Sequence, residues 1–300
     1  MARIDHRNAT DPSFAFCQTE VKRTDPLAHF IALVAPDVHR PALMVLYAFL
    51  AEIARLSQQI SEPAMGEIRL QWWKDTLEAT ATGDTQVRDA QGCGAANIGP
   101  LASAIRSVIR QYQLPLATFT HILEARRFDL YNDPMPDLAA YETYAGETGA
   151  LPLMLAAQIL NDGKPLTSIA DLSGHAGMAI SLSNHLYNWQ RDAGHQRLFL
   201  PVEVFSRYGL STNDIWAGKQ ETALSSAIRD LCQLADAHHS KAIAYLRPAK
   251  SEGQAHLLPA YLMLAPAALL LKKREKAPLA ALKVPNWRLY ASVVRMAALG

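Results

Sequence analysis

Almost everywhere along the 300 residues, apolar side chains return at intervals of three and four, and no run of alternating β-branched residues interrupts them. A period near 3.6 gathers such residues on one face of a helix, so the chain reads as all-α. The spacing predicts helices near 26–34, 38–60, 64–82, 100–112, 116–130, 137–161, 167–191, 201–207, 211–217, 220–246, 254–275 and 286–298. The stretch GDTQVRDAQGCGAANIGP at 83–100 and the turns NDPMP at 132–136 and NDGKP at 161–165 separate them. Because the linkers are short, one domain is expected over residues 23–300, preceded by a weakly ordered tail at 1–22.

With 50% hydrophobic and 19% charged residues, the chain can bury a sizeable core. Lys plus Arg number 29 against 28 Asp plus Glu, which gives no argument for a nucleic-acid partner. Cys17, Cys93 and Cys232 are far apart and form no metal-ligand spacing. They suit a reducing, cytoplasmic compartment rather than a disulfide framework or structural zinc. The N-terminal MARIDHRNATDPSFAFCQTE holds no apolar core of signal-peptide length, and its acids spoil it as a mitochondrial presequence. The most apolar stretch, AHLLPAYLMLAPAALLL at 255–271, carries His256, Pro259 and Pro266. It reads as a buried helix kinked by proline, with a membrane-inserting segment as the alternative. After it, Lys272, Lys273, Arg274, Lys276, Lys283, Arg288 and Arg295 stand among apolar residues with Trp287 and Tyr290. That mixture predicts weak, salt-sensitive contact with an anionic membrane surface, with a solvated terminal helix packed on the bundle as the alternative.

Polar groups on apolar helices are costly unless paired, and three strips of them stand out. In YAFLAEIARLSQQISEPAMGEIRLQWWKDTLEA, Glu52, Arg55 and Gln59 share a predicted face, where Glu52 can pair with Arg55. Glu67, Gln71 and Lys74 form the next stripe, beside Trp72 and Trp73. In SLSNHLYNWQRDAGHQRLFLP, Asn184, Asn188 and Asp192 step by four, a ladder that suits a cation or polar ligand and equally an exposed helix end. In LEARRFDLYNDPMP, Glu124 and Asp129 are poorly aligned, whereas Arg126 and Asp129 can pair locally. The adjacent His238 and His239 diverge on a helix. No phosphate loop, metal-binding His pair or nucleophile elbow occurs.

In order, RTDPLAHFIALVAPDVHRPALMVLYAF, the first strip, LEARRFDL, YAGETGALPLML, SLSNHLYNWQRDAGHQRLFLP and LLPAYLMLAPAALLLKKR resemble the squalene and phytoene synthase superfamily over residues 23–297. The resemblance implies a single-domain, isoprenoid-synthase-type helical bundle around a central cavity. It also implies, for active members, two Asp-x-x-x-Asp signatures whose carboxylates hold Mg²⁺ against a prenyl diphosphate and help it ionise.

This chain departs at both signatures. Ala54, Arg55 and Gln58 fall in the first, while Asn188 and Arg191 stand at acidic positions of the second, next to Asp192 and one helical turn after Asn184. No catalytic residue and no metal ligand are therefore assigned. Glu52, Glu67, Gln71, Glu124 and Asp129 are expected to be polar residues of the cavity. The segment LSQQISEPAMGEIRLQWWKDTLEA resembles the branch of the family that includes the mitochondrial assembly factor for complex I. That likeness implies a non-catalytic, cofactor-free protein whose partners are complex I subunits or assembly intermediates, cytoplasmic and peripheral on the inner membrane. The alternatives are a prenyltransferase, with Mg²⁺ as its cofactor or with Arg55 gripping diphosphate, and a carrier of an isoprenoid or lipid ligand.

Overall fold

The computed structural model describes residues 11–60, 62–82, 99–249 and 253–298. Residues 1–10, Ser61 and the connection at 83–98 with Cys93 lie outside the described residues. Among the described residues there is no β-strand, in agreement with the all-α reading. The chain groups into two units: one is formed by residues up to Tyr131 with 155–166, the other by 132–154 with the residues from Thr167 on.

The first unit begins with α1 (Pro12–Thr24), which corrects the expectation of a weakly ordered tail over residues 12–22. Asp11 caps this helix by accepting from the Ser13 amide at 2.8 Å, and Pro12 occupies the first turn, where its missing N–H is harmless. Phe14, Cys17 and Val21 follow at helical steps and are buried against the unit. Each large apolar side chain withdrawn from water contributes roughly 1.5–3 kcal/mol, which holds the helix down. Burial also pushes the Cys17 thiol up to about 12, far from a nucleophile's range.

The unit continues through α2 (Pro26–Val34), α3 (Arg40–Ala54), α4 (Leu56–Gln59), α5 (Pro63–Thr82), α6 (Gly99–Tyr112) and α7 (Leu116–Ala125). α1 packs on α3 and α6, and α5 packs on α6 and α7. The helix predicted at 38–60 is broken at Arg55, whose amide bonds to the Glu52 carbonyl three residues back at 3.2 Å. That tightened turn means α4 does not continue the register of α3. After α7 the chain tightens again into a 3-10 turn, Arg126–Leu130, where residues three apart eclipse. Arg126 thereby meets Asp129 at 2.9 Å, and Asp129 is buried. α5 passes close to this turn at Gly66, where a Cβ would lie 2.5 Å from Ile60 Cδ1 and 2.5 Å from Leu130 Cδ2.

The second unit contains α8 (Leu138–Ala145), a π-helical turn at Gly146–Ala150, the start of α9 (Leu151–Leu160), and α10 (Ala170–Gly194). After these come α11 (Val202–Ser206), α12 (Thr212–Trp216), α13 (Glu221–Ala249), α14 (Leu258–Tyr261), α15 (Leu264–Lys276) and α16 (Asn286–Ala298). The helix expected at 137–161 is interrupted by the π turn, and α10 packs against that turn as well as against α13 and α15. Small residues permit the approach: a Cβ on Gly177 would lie 2.5 Å from the Ala150 amide nitrogen, and one on Gly149 would lie 3.0 Å from the Gly177 carbonyl oxygen.

The apolar stretch at 255–271 forms a 3-10 turn, Ala255–Leu257, then α14 and α15, with a bend of 43°. Pro266 has no amide to offer the Leu262 carbonyl, which accepts instead from Ala265 at 3.2 Å, one residue early. Leu257, Leu258, Tyr261, Leu264 and Leu271 are buried, and the Tyr261 hydroxyl lies 2.8 Å from that of Ser173. Among the described residues no single helix is long and apolar enough to cross a membrane.

Candidate functional site

In the first unit, the break at Arg55 sets the electrostatics of the opening strip. Helical spacing predicts that Glu52 pairs with Arg55, and it does not. Its carboxylate lies 3.5 Å from Arg69 on α5, and Arg55 lies 4.0 Å from Glu20 on α1. Ala54 offers no donor, and Gln58 stands on α4. Arg69 also covers the Trp72 ring, 4.7 Å from its centroid, while Trp73 is buried edge-on against Phe49 at 5.1 Å.

A second polar group forms a cleft of ≈ 340 Å³ between α5 and the end of α7, lined by Glu67, Gln71, Lys74, Glu124 and Arg127 over Leu70 and Leu123. Glu67 accepts from Arg127 and from the Tyr131 hydroxyl, both at 2.8 Å. The Arg127 hydrogen bond, followed by that of Tyr131, holds the Glu67 carboxyl below the usual range. Lys74 donates to Glu124 at 3.1 Å, and Gln71 donates to Asp75 at 2.7 Å. The cleft thus gathers three of the residues expected to be polar cavity groups, Glu67, Gln71 and Glu124, and balances the two acids with cations. It is open to solvent at Gln71, Glu124 and Arg127. Asp129 is held apart by Arg126.

In the second unit, α10 is unbroken through Gly194, so the four-residue spacing keeps Asn184, Asn188 and Asp192 on one line. The Asn188 amide donates back to the Asn184 carbonyl at 3.0 Å, and Arg191 donates to Asp192 at 3.2 Å. Burial raises the Asp192 pKa, and Arg191 offsets this only in part. Beside the ladder lies an aromatic group that spacing missed. His185 Nδ1 is 2.9 Å from the Tyr141 hydroxyl, and its ring stacks on Phe199 at 4.9 Å. The segment behind Phe199 is tied to 132–136 by backbone bonds, Met135 N–H to Leu198 O at 2.9 Å and Val202 N–H to Met135 O at 2.8 Å.

Residues 21–295 match the family model described as squalene/phytoene synthase. The chain belongs to the squalene/phytoene synthase family. Among its relatives, the human "NADH dehydrogenase (ubiquinone) complex I, assembly factor 6" is 23% identical over 268 residues, 87% of this chain and 73% of the human protein. The presqualene diphosphate synthase of Rhodopseudomonas palustris is 25% identical over 210 residues, 70% of each chain. The fold is that of squalene synthase HpnC from Alicyclobacillus acidocaldarius, with a TM-score of 0.74 at 18% identity, covering 88% of this chain and 94% of that one.

Magnesium, which the family resemblance implies for active members, prefers a near-octahedral shell of anionic and water oxygens. At the positions of the first signature this chain offers a methyl, a guanidinium and an amide. At the second it offers the amides of Asn184 and Asn188, the guanidinium of Arg191 and one carboxylate, Asp192, already paired with Arg191 and disfavoured as an anion by burial. The nearby acid Glu52 faces Arg69. Among the described residues no three His, Cys, Asp or Glu are grouped as a metal would require. These donors do not fit the ion.

Sequence reasoning missed Arg69, Tyr141 and His185. Arg127 left a signal: of the adjacent Arg126 and Arg127, only one can serve Asp129, which frees the other for a different element. Arg69 left none, because its partner belongs to another helix.

Proposed function

We propose that this squalene/phytoene synthase family member is a non-catalytic protein acting in the assembly of respiratory complex I, without a metal cofactor. The observation that carries the reading is the replacement chemistry at the two signatures. Guanidiniums and amides occupy most of the places where a diphosphate-ionising site needs clustered carboxylates, and Glu20, Glu52 and Asp192 each have a cationic partner. A scaffold kept without that donor set fits a binding role, and the mammalian relatives are named for such a role. Complex I subunits or assembly intermediates are then its partners, met at the cytoplasmic face of the inner membrane.

Deleting the gene tests this directly. Assembled complex I and NADH-driven quinone reduction are expected to fall, while squalene, hopanoid and carotenoid pools hold. A second reading, a prenyltransferase, draws on the likeness to presqualene diphosphate synthase. It requires the opposite phenotype, lost isoprenoid product with intact complex I. It also requires that the purified chain consume farnesyl diphosphate with Mg²⁺, and that the pair raise its Tm, whereas the assembly reading expects neither.

A further inference from the structure

A groove of ≈ 480 Å³ lies within the second unit, where α13, α15 and α16 meet. Each helix contributes one stripe: Ile243 and Leu246 from α13, Ala265 and Ala268 from α15, Met296 from α16. The two alanines leave the space, and the lining is mostly apolar. Its cationic groups are Arg247 and Arg295, both exposed and neither with a carboxylate partner among the described residues. His239 also reaches the groove, but it lies 3.2 Å from the Leu264 carbonyl, and burial lowers its pKa, so it adds no charge at neutral pH. The Ser292 hydroxyl is turned back to the Leu289 carbonyl at 2.6 Å.

The outer face of α16 is unusual for a helix packed on a protein. Trp287, Ala291, Val294 and Ala298 recur at helical steps of four, three and four, so they form one outward stripe, and all four are exposed. Trp287 is 65% and Val294 52% accessible. Arg288 and Arg295 fall seven apart along one flank of that stripe, with the Arg288 guanidinium 5.3 Å from the Trp287 ring centroid. An apolar stripe with a tryptophan and flanking arginines is the pattern of a helix lying in a membrane interface. Its opposite face, through Met296, walls the groove.

We propose that this groove takes one acyl chain of an anionic phospholipid, with Arg247 and Arg295 on the headgroup phosphate and the outer stripe of α16 in the surrounding interface. The volume lies within the ordinary range for small-molecule sites, about 300–1,000 Å³. Two guanidiniums without a carboxylate partner among the described residues, at an apolar slot, complement a lipid that joins a phosphate to a hydrocarbon chain, since guanidinium binds phosphate oxygens in pairs. The inference goes beyond complex I assembly and does not depend on it.

The test uses the full chain with vesicles of phosphatidylcholine alone or mixed with phosphatidylglycerol. Binding is expected only with the anionic lipid. Arg247→Gln combined with Arg295→Gln should weaken it about tenfold or more, at about 1 kcal/mol for each basic residue. Ala268→Phe, which fills the slot and keeps every charge, should weaken it comparably. Full binding by Ala268→Phe would overturn the proposal, because charge on the surface would then suffice, and so would full binding by the double arginine variant. Should Ala268→Phe fail to fold, the unaltered chain decides. Lysophosphatidylglycerol is expected to raise its Tm and lysophosphatidylcholine is not; equal shifts, or none, would overturn the assignment. Neither arm depends on the complex I phenotype.

Discussion

His175 and His238 stand with their Nδ1 atoms 3.0 Å apart, an arrangement that holds only while one nitrogen donates and the other accepts. A proton on each would set two N–H groups face to face. Burial is the leading cause that lowers both pKa values, with Lys241 adding to it at His175 and His175 itself, then Lys241, adding at His238; Asp171 opposes this weakly at His175. A lowered folded-state pKa means the contribution to stability is complete above the ordinary imidazole value of about 6.5 and is lost as pH falls through the folded value. Melting followed from about pH 7.5 to about pH 5.5 should therefore fall on acidification, and His238→Gln should make that fall shallower. An unchanged slope in the variant would count against it. Arg274 is a second residue with a definite consequence. It reads in sequence as one more member of a basic tail, yet it is 1% exposed and donates to the carbonyls of Tyr187 at 3.1 Å and of Pro278 and Ala280 at 2.9 Å. Burial brings its pKa down to about 10, which leaves it charged at neutral pH. Arg274→Met should cost roughly 2–4 kcal/mol in denaturant unfolding, since it strands several buried acceptors. No pattern of spacing could have told Arg274 from Lys272 and Lys273, because the difference lies in how the chain turns back after α15 to present the Pro278 and Ala280 carbonyls and in the distant Tyr187 carbonyl.

At the scale of elements, the periodic parts were legible and the irregular ones were not. The helices at 26–34 and 286–298 begin and end where the spacing puts them, helped by proline and charge at their ends. α1 was missed although its signal was present, Asp11 before Pro12 with Phe14, Cys17 and Val21 behind, because polar neighbours lowered the apparent contrast. The break at Arg55 and the π turn at Gly146–Ala150 left no such trace in the spacing of apolar residues. The same logic ranks two glycines that sequence alone treats alike. A methyl on Gly66 would meet side-chain ends of Ile60 and Leu130, which can rotate, so Gly66→Ala should cost about 1–3 kcal/mol. A methyl on Gly177 would meet the backbone nitrogen of Ala150, which cannot, and Gly177→Ala should cost more, about 3 kcal/mol or above. Urea unfolding of both variants checks the order; an equal or reversed cost would show that α10 and the π turn can slide apart.

For the whole molecule, family and fold were readable because they rest on the order of landmarks across nearly the entire chain, a property no single tightened turn can erase. Which acid meets which base was not, as Glu52 with Arg69 and Glu67 with Arg127 show, because such pairs join helices that a wheel diagram treats one at a time. The bend after α14 bears on a stage of the protein's life that precedes folding altogether. Straightened, residues 255–276 would make a rod of roughly 33 Å, about the thickness of a bilayer's hydrocarbon core. Chains are sorted between water and lipid while they are being made, and this stretch is apolar enough to be considered. Pro259 and Pro266 each remove an amide donor from it, and inside hydrocarbon the carbonyls left without partners have no water to turn to. In an insertion reporter, Pro259→Leu with Pro266→Leu should send a larger share of nascent chains into the membrane than the native segment does, and an equal share would refute it. A larger share would give the two prolines a use before folding, as a bias against lipid in a segment whose apolar side chains are meant for the company of other helices.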